Sequence, residues 1–355
     1  YYLELRTTPR QLKVDPPSKS RGSPYKGRSR SLSNSEKEKA AGDTWLLPGG
    51  IEAYVDIILE EMERWEGDAA ADPVEQRLIP RLLISIDRAA GYEAAEASVE
   101  LACDLFTSGN RFVVGVEIGG NPMKGDFATF VPLLEKARDI GLKVSVHCAE
   151  VPASVKDEME EIINFRPDRL GHALFLPEAC VKMLESDPIP IEACPTSNVM
   201  TLELAQPGGG GSGGGEDDSE AVVEGLKKHP TLKHWLDTGY PISISTDDSG
   251  VFNTDSTNEL VVLCNAFGLD EWLITGLVWA SLDHVFEQNR RVRSRLARDV
   301  SVAIKRLLKK LESEQEGSEG SWSEAPQKWV KKGLQKVKSL GRMAEEDVQG
   351  QEQGQ

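Results

Sequence analysis

The sequence predicts an α/β chain folded as a (β/α)8 TIM barrel that lacks its first strand. Three observations carry this. Short β-rich runs alternate with helix-length amphipathic segments, the polar residues that look out of place sit at the C-terminal ends of those runs, and the foldable remainder has the length of one barrel. Strict strand-then-helix alternation marks a parallel sheet made of βαβ units. The strand candidates are residues 2–6, 82–86, 113–118, 143–147, 169–173, 190–194 and 242–246, and the helix candidates include 51–65, 92–108, 127–140, 153–164 and 177–186. Seven strands are one short of a barrel. The missing strand is expected before residue 1, because the chain opens inside a strand with Tyr1-Tyr2-Leu3-Glu4-Leu5. A doubly wound open sheet is the competing architecture, but no GxGxxG follows the first strand to favour it.

Three stretches are set aside before counting domains. Residues 11–44 are rich in Ser, Pro and Gly, carry eight basic and four acidic residues, and show no apolar period, which reads as a disordered insert. Residues 207–219 (PGGGGSGGGEDDS) have linker chemistry and read as a Gly-rich surface loop. Residues 312–355 are a low-complexity tail with one short amphipathic helix expected around 329–340, a candidate partner-binding or membrane-surface segment. About 260 of the 355 residues remain, close to the roughly 250 of one barrel. One barrel domain over residues 1–311 is therefore expected.

Composition removes several function classes. With 41 Lys and Arg against 58 Asp and Glu, the net charge is −17, the wrong sign for a surface that tracks phosphates along a nucleic acid. No apolar run approaches the roughly 18–20 residues of a membrane span. The five cysteines are odd in number and form no CxxC pair, so a reducing, cytoplasmic compartment is expected.

The chemistry collects at strand ends, where a barrel keeps its active site. Val144-Ser145-Val146-His147-Cys148-Ala149-Glu150 ends one strand with an imidazole and, three residues on, a carboxylate. Arg169-Leu170-Gly171-His172 ends the next with a second imidazole. Asp247 and Asp248 close the last strand as adjacent acids that repel unless something neutralises one of them. Ligands, a proton-transfer group and an orienting group are the parts of metal-assisted hydrolysis. His147 and Asp247 read as metal ligands and Glu150 as the proton-transfer group, whereas His229, His234 and His284 read as surface or packing residues. Cys148, next to His147 on a strand, is expected on the opposite face, and Thr196, Ser197 and Asn198 are expected to brace a loop.

These segments resemble the adenosine/AMP deaminases of the metal-dependent hydrolase superfamily. VVGVEIGGNP (113–122), SVHCAE (145–150), RLGHAL (169–174), IEACPTSN (191–198) and STDDSGVF (245–252) carry the resemblance in order and spacing. YLELRTTPR (2–10), LLISIDR (82–88) and HCAEVP (147–152) look most like the adenosine deaminase-like branch, whose members turn N6-methyl-AMP into IMP and methylamine. The resemblance implies that His147 and Asp247 bind Zn2+, that Glu150 passes a proton to purine N1, and that His172 orients the hydroxide attacking C6. It further implies that Asp248 faces N7 and the Gly120 backbone faces N3, with Thr7, Thr8, Pro9, Arg10 and Asp87 in the nucleotide pocket. Arg10 is a suitable phosphate partner. The implied partner is a small-molecule purine nucleotide or nucleoside, with no nucleic acid and no membrane, and the expected assembly is a monomer.

The chain departs from the family at one serious point. The HxH pair that the family carries on its first strand, supplying two zinc ligands, occurs nowhere in this sequence. A preceding strand outside the sequence is the favoured expectation, and a metal-deficient relative that keeps the purine pocket is the rival. Ala149 replaces the family's usual Gly, Glu117 stands where Asp is common, and Asn121 replaces an acid. Adenosine or adenine remains an alternative substrate with the same chemistry.

Overall fold

The structure is a computed structural model that describes residues 2–14, 45–46, 48–71, 78–152, 158–204 and 216–315. The strands are β1 (Tyr2–Thr7), β2 (Lys13–Val14), β3 (Trp45–Leu46), β4 (Ile79–Asp87), β5 (Val113–Gly119), β6 (Lys143–Cys148), β7 (Arg169–His172), β8 (Ile191–Ala193) and β9 (Ile242–Ile244). The helices are α1 (Gly50–Ala71), α2 (Tyr92–Thr107), α3 (Phe127–Asp139), α4 (Met159–Phe165), α5 (Glu178–Ser186), α6 (Pro195–Thr201), α7 (Glu216–Leu226), α8 (Leu232–Thr238), α9 (Ser249–Phe252), α10 (Ser256–Phe267), α11 (Glu271–Ser281) and α12 (Arg290–Gln315).

Seven strands form one sheet in the order β1-β4-β5-β6-β7-β8-β9, every neighbour pair parallel. That sheet is curled. β1 and β7 stand four strand steps apart, roughly 19 Å in a flat sheet, yet Glu4 Oε2 on β1 meets Arg169 Nη2 on β7 at 2.7 Å. Arg6 on β1 pairs with Glu192 on β8 in the same way. Side chains can meet across such a distance only if the sheet wraps around an interior. The arrangement is a TIM-barrel-like fold with one strand missing, and β1 and β9 are its edges among the described residues.

The two faces of the strands divide by alternation. Leu82, Ile84 and Ile86 of β4, with Val116 and Ile118 of β5 and Val144 and Val146 of β6, pack outward against the helices in the main core. Leu83, Val114 and Phe286 form a small apolar plug of their own. Next to it the interior is ionic: Arg169 bonds Glu4, approaches Glu192 at 3.6 Å and stacks on Phe286 at 4.1 Å. Arg81 is likewise buried against Glu287. On the outer face of β1, Leu3 and Leu5 remain 41% and 38% exposed.

Several expected boundaries shift. Lys13–Val14 pairs antiparallel with Trp45–Leu46, so both ends of the expected 11–44 insert belong to a small ladder, because an antiparallel pair can close any length of intervening chain. Residues 15–44 lie outside the described residues. The expected Gly-rich loop 207–219 loses its acidic end to the first turn of α7. α12 runs to Gln315, into the expected tail, and residues 316–355, with the expected helix at 329–340, lie outside the description. Of the expected helix 153–164, residues 153–157 are also outside it, and the described part is α4. Among the described residues no helix is long and apolar enough to cross a membrane.

Candidate active site

The C-terminal ends of β5 to β9 converge on one cluster. His147 sits near the end of β6, opposite Gly171 of β7 in the parallel register. A Cβ on Gly171 would stand 3.2 Å from His147 Nδ1, so the glycine leaves room for the imidazole. His147 Nδ1 lies 2.7 Å from Glu117 Oε1 of β5, a contact set by position and charge rather than by ideal hydrogen-bond alignment. Ser85 on β4 donates to the other Glu117 oxygen at 2.6 Å. Burial pushes the Glu117 carboxyl up, but His147, then Arg6 and the Ser85 hydroxyl, outweigh it and hold the group well below the usual carboxylate range.

His172 ends β7, buried, with its ring centroid 4.8 Å from that of His147. Its Nε2 stands 3.9 Å from Glu150 Oε1, and its Nδ1 is 3.0 Å from Asn198 Nδ2. Burial, reinforced by the charges of His147 and Arg6, keeps His172 far below the ordinary histidine range and hence neutral. Glu150 is pushed up by burial; His147 opposes this and Asp247 adds to it. Asp247 follows β9, exposed, and its Oδ2 accepts a 2.7 Å bond from Ser197 Oγ at the start of α6. Ala149, His172, Ala173 and Asp247 all have positive φ, between 49° and 61°. That concentration of left-handed backbone at three strand ends is the strain expected of a functional site. Ala149 falls where the family's glycine would sit without strain.

The other expected site residues fall into two groups. Gly120 and Asp87 adjoin: a Cβ on Gly120 would lie 2.3 Å from Asp87 Oδ1, and the same oxygen caps the short turn after β4 by accepting from Ala89 N at 2.9 Å. Thr7 Oγ1 and Tyr54 OH of α1 are 2.5 Å apart, and Arg10 holds its exposed guanidinium over the Tyr54 ring at 5.7 Å. Thr8 is half-buried and Pro9 buried beside them. Tyr54, rather than any of the strand-end acids or histidines, organises this group. Asp248 is exposed at the start of α9.

One expectation about supporting residues is corrected, and two histidines expected at the surface or in the packing fall in the packing. Ser197 and Asn198 brace Asp247 and His172 directly instead of only a loop. This follows because α6 begins immediately after β8 and turns its first residues toward the neighbouring strand ends. His229 is buried in the turn before α8 with its Nε2 3.3 Å from Asn198 Oδ1. His284 is buried also, its carbonyl accepting from Arg169. Cys148 keeps the expected outward direction, its thiol on Gly171 O at 3.7 Å and pushed up by burial.

Donor chemistry tests the fit of a divalent cation. With Nδ1 against Glu117, His147 has Nε2 free, the carboxylate-backed arrangement usual for a metal-bound imidazole. Asp247 adds a carboxylate. These two fit zinc in kind, and they number fewer than the three or more protein ligands of a catalytic zinc site. His172, Cys194 and Asp247 also bring one ligand atom each within 4.8 Å of one another. Cys194 is a buried thiol pushed up by burial and by Asp247, unlike a thiolate ligand.

Residues 51–208 match the protein-family model for adenosine deaminase. This stretch is an adenosine deaminase family domain. The chain is 33% identical over 233 residues to the adenosine deaminase-like protein of Drosophila melanogaster, covering 66% of this chain and 61% of that protein. It is 29% identical over 291 residues to the N6-mAMP deaminase of Arabidopsis thaliana, covering 81% and 69%. A crystal structure of Arabidopsis ADAL complexed with IMP superposes with a TM-score of 0.60 at 27% identity, covering 85% of this chain and 72% of that one. The chain thus spans about two thirds of the length of these relatives. The adenosine deaminase domain runs from α1 through α6 and so contains His147, Glu150, His172 and Asn198, while Asp247 lies beyond it.

Proposed function

We propose that the chain carries the active-site barrel of a zinc-dependent hydrolytic deaminase acting at C6 of a purine nucleotide, with N6-methyl-AMP and one water giving IMP and methylamine. The observation that carries this reading is Glu150: a carboxyl raised by burial, with His172 Nε2 3.9 Å away and the His147 and Asp247 charges close enough to act on it. A carboxyl raised above its usual range holds a proton more readily and can pass it to purine N1. Protonated N1 withdraws electrons from the ring and weakens its resistance to attack at C6.

His147 and Asp247 would hold the zinc, whose Lewis acidity lowers the pKa of water towards about 7. Ser197 fixes one oxygen of Asp247, and Glu117 fixes the direction of His147. His172 orients the attacking oxygen. Asp248 faces the N7 side of the purine and the Gly120 backbone its N3. When the amine leaves the tetrahedral carbon it needs a proton, which Glu150 supplies after taking one up from the attacking water. Thr7, Thr8, Pro9, Arg10 and Asp87 line the ribose phosphate side, with Arg10 as the cation for the phosphate. The match to Arabidopsis ADAL, whose structure holds IMP, supports a nucleotide over a free base.

The absence of HxH from the sequence favours a second reading, a metal-free purine-nucleotide-binding protein on the same pocket. Assays with N6-methyl-AMP, AMP, adenosine and adenine test the choice. Turnover of N6-methyl-AMP above the others is expected. Turnover of adenosine alone contradicts the substrate assignment, and IMP binding with no turnover of any of the four favours the second reading.

A further inference from the structure

Behind His172 runs a short polar chain whose donors and acceptors can be assigned one at a time. Leu232 N lies 3.0 Å from His229 Nδ1 and Thr231 N lies 3.4 Å from the same atom. A backbone N–H can only donate, so His229 Nδ1 is an acceptor and carries no proton. Neutral imidazole has one N–H, which on His229 is therefore Nε2. Burial, which lowers the His229 pKa to about 4, keeps the ring neutral. His229 Nε2–H then points at Asn198 Oδ1, 3.3 Å away, an atom that can only accept. This fixes the amide orientation: turned over, Asn198 would set its NH2 against an N–H. The amide NH2 consequently faces His172 Nδ1 at 3.0 Å and donates to it. His172 Nδ1 is an acceptor, and its single proton lies on Nε2, the atom on the Glu150 side.

We propose that Asn198 and His229 are positioning residues that lock the proton of His172 on Nε2, so that His172 serves the reaction as a hydrogen-bond donor to the attacking oxygen and neither as its base nor as a metal ligand. The assignment of a reacting oxygen rests on the deaminase reading; the tautomer itself does not. A ring whose Nδ1 lone pair is taken by Asn198 and whose Nε2 bears a proton has no lone pair left for a cation. This removes His172 from the trio with Cys194 and Asp247 and leaves His147, backed by Glu117, as the imidazole that can ligate. It also removes proton abstraction from the duties of His172 and leaves that step to the carboxylates.

The test is long-range 1H–15N NMR of the histidine rings in the full chain, where five histidines make each signal assignable by single substitution. The expected wild-type spectrum shows a protonated Nε2 and a bare Nδ1 on His172, and the opposite nitrogen pattern, bare Nε2, on His147 in the presence of zinc. Asn198→Asp replaces the donor with an acceptor of the same shape and is expected to move the His172 proton to Nδ1. His229→Gln can still donate to Asn198 Oδ1 and is expected to keep it on Nε2. In activity, Asn198→Asp is expected to lower kcat on the order of 10²-fold or more while changing KM little, as wrong-tautomer histidines do. A protonated Nδ1 on wild-type His172, or an unmoved proton in Asn198→Asp, overturns the relay whatever the activity. A moved proton with unchanged kcat overturns its catalytic consequence. The expected tautomer in a protein that turns over no purine overturns the deaminase reading and leaves the relay standing.

Discussion

His147 and His172 lie ring against ring, centroids 4.8 Å apart at an interplanar angle of 68°, yet their Nδ1 atoms face opposite kinds of partner. The Nδ1 of His147 meets the Glu117 carboxylate, which can only accept; that of His172 meets the Asn198 amide, which donates. A neutral His147 with its proton on Nδ1 turns a lone pair towards the site, whereas His172 turns an N–H. Two residues of the same type acquire different chemistry from what stands behind them.

The role of Glu117 is open to a binding measurement. Glu117→Gln removes the charge behind His147 while keeping its shape, and zinc affinity is expected to fall by roughly 10–100-fold, the usual effect of losing a carboxylate that backs a ligating histidine. Competition with a chromophoric chelator reads this directly. Unchanged affinity contradicts the assignment of His147 as the ligand.

The ionic interior predicts a stability effect. Arg169 is buried between Glu4 and Glu192, stacks on Phe286 and bonds the His284 carbonyl. Arg169→Met strands buried carboxylates and is expected to cost about 3–5 kcal/mol. Urea unfolding followed by circular dichroism measures the loss, and a change below about 1 kcal/mol would show that these charges are solvated in solution.

His229 predicts how stability follows pH. Its pKa is lowered from 6.5 to about 4 by burial. Above pH 6.5 the ring is neutral in both states and its contribution is fully present. As pH falls from 6.5 towards 4, the unfolded chain takes up a proton that the folded chain refuses, and up to about 3 kcal/mol is lost. His172 shifts in the same direction. His229→Gln is expected to flatten the unfolding free energy over this window by one proton's worth, and a curve parallel to that of the wild type contradicts the burial argument.

Arg10 predicts substrate preference. Held over Tyr54 with its guanidinium exposed, it is free to meet a phosphate. Arg10→Ala is expected to lower kcat/KM for the nucleoside monophosphate and spare the nucleoside, narrowing the ratio by roughly tenfold or more. Full retention of the preference removes Arg10 from the phosphate site.

Much of the barrel was legible because buried parallel strands leave continuous β-branched runs. β4 to β7 fall where LLISI, VVGVEI, VSV and RLGH place them. β8 and β9 end one or two residues short of expectation, since the chain leaves the ladder where Cys194 and Ser245 turn towards α6 and the Asp247 bend. The strand-end acids and histidines were legible as a set, and the structure gathers His147, Glu150, His172 and Asp247 together. The residues behind them were not. Glu4, Arg6, Arg169 and Glu192 look like solvent-facing charges in a strand until the sheet curls and makes them meet. Asn198 and His229 are 31 residues apart, and only the packing of α6 beside the turn before α8 joins them. Tyr54 sits on an ordinary amphipathic helix and gives no sign in the sequence that it holds Thr7 and Arg10.

The most direct test of the central claim is zinc content measured alongside IMP and methylamine release from N6-methyl-AMP, for the wild type and for Glu150→Gln. One zinc per chain, with IMP and methylamine formed in equal amounts by the wild type and abolished by Glu150→Gln without loss of zinc, is the predicted result. Stoichiometric IMP binding with neither zinc nor turnover would contradict the deaminase account and leave a purine-nucleotide-binding protein in its place.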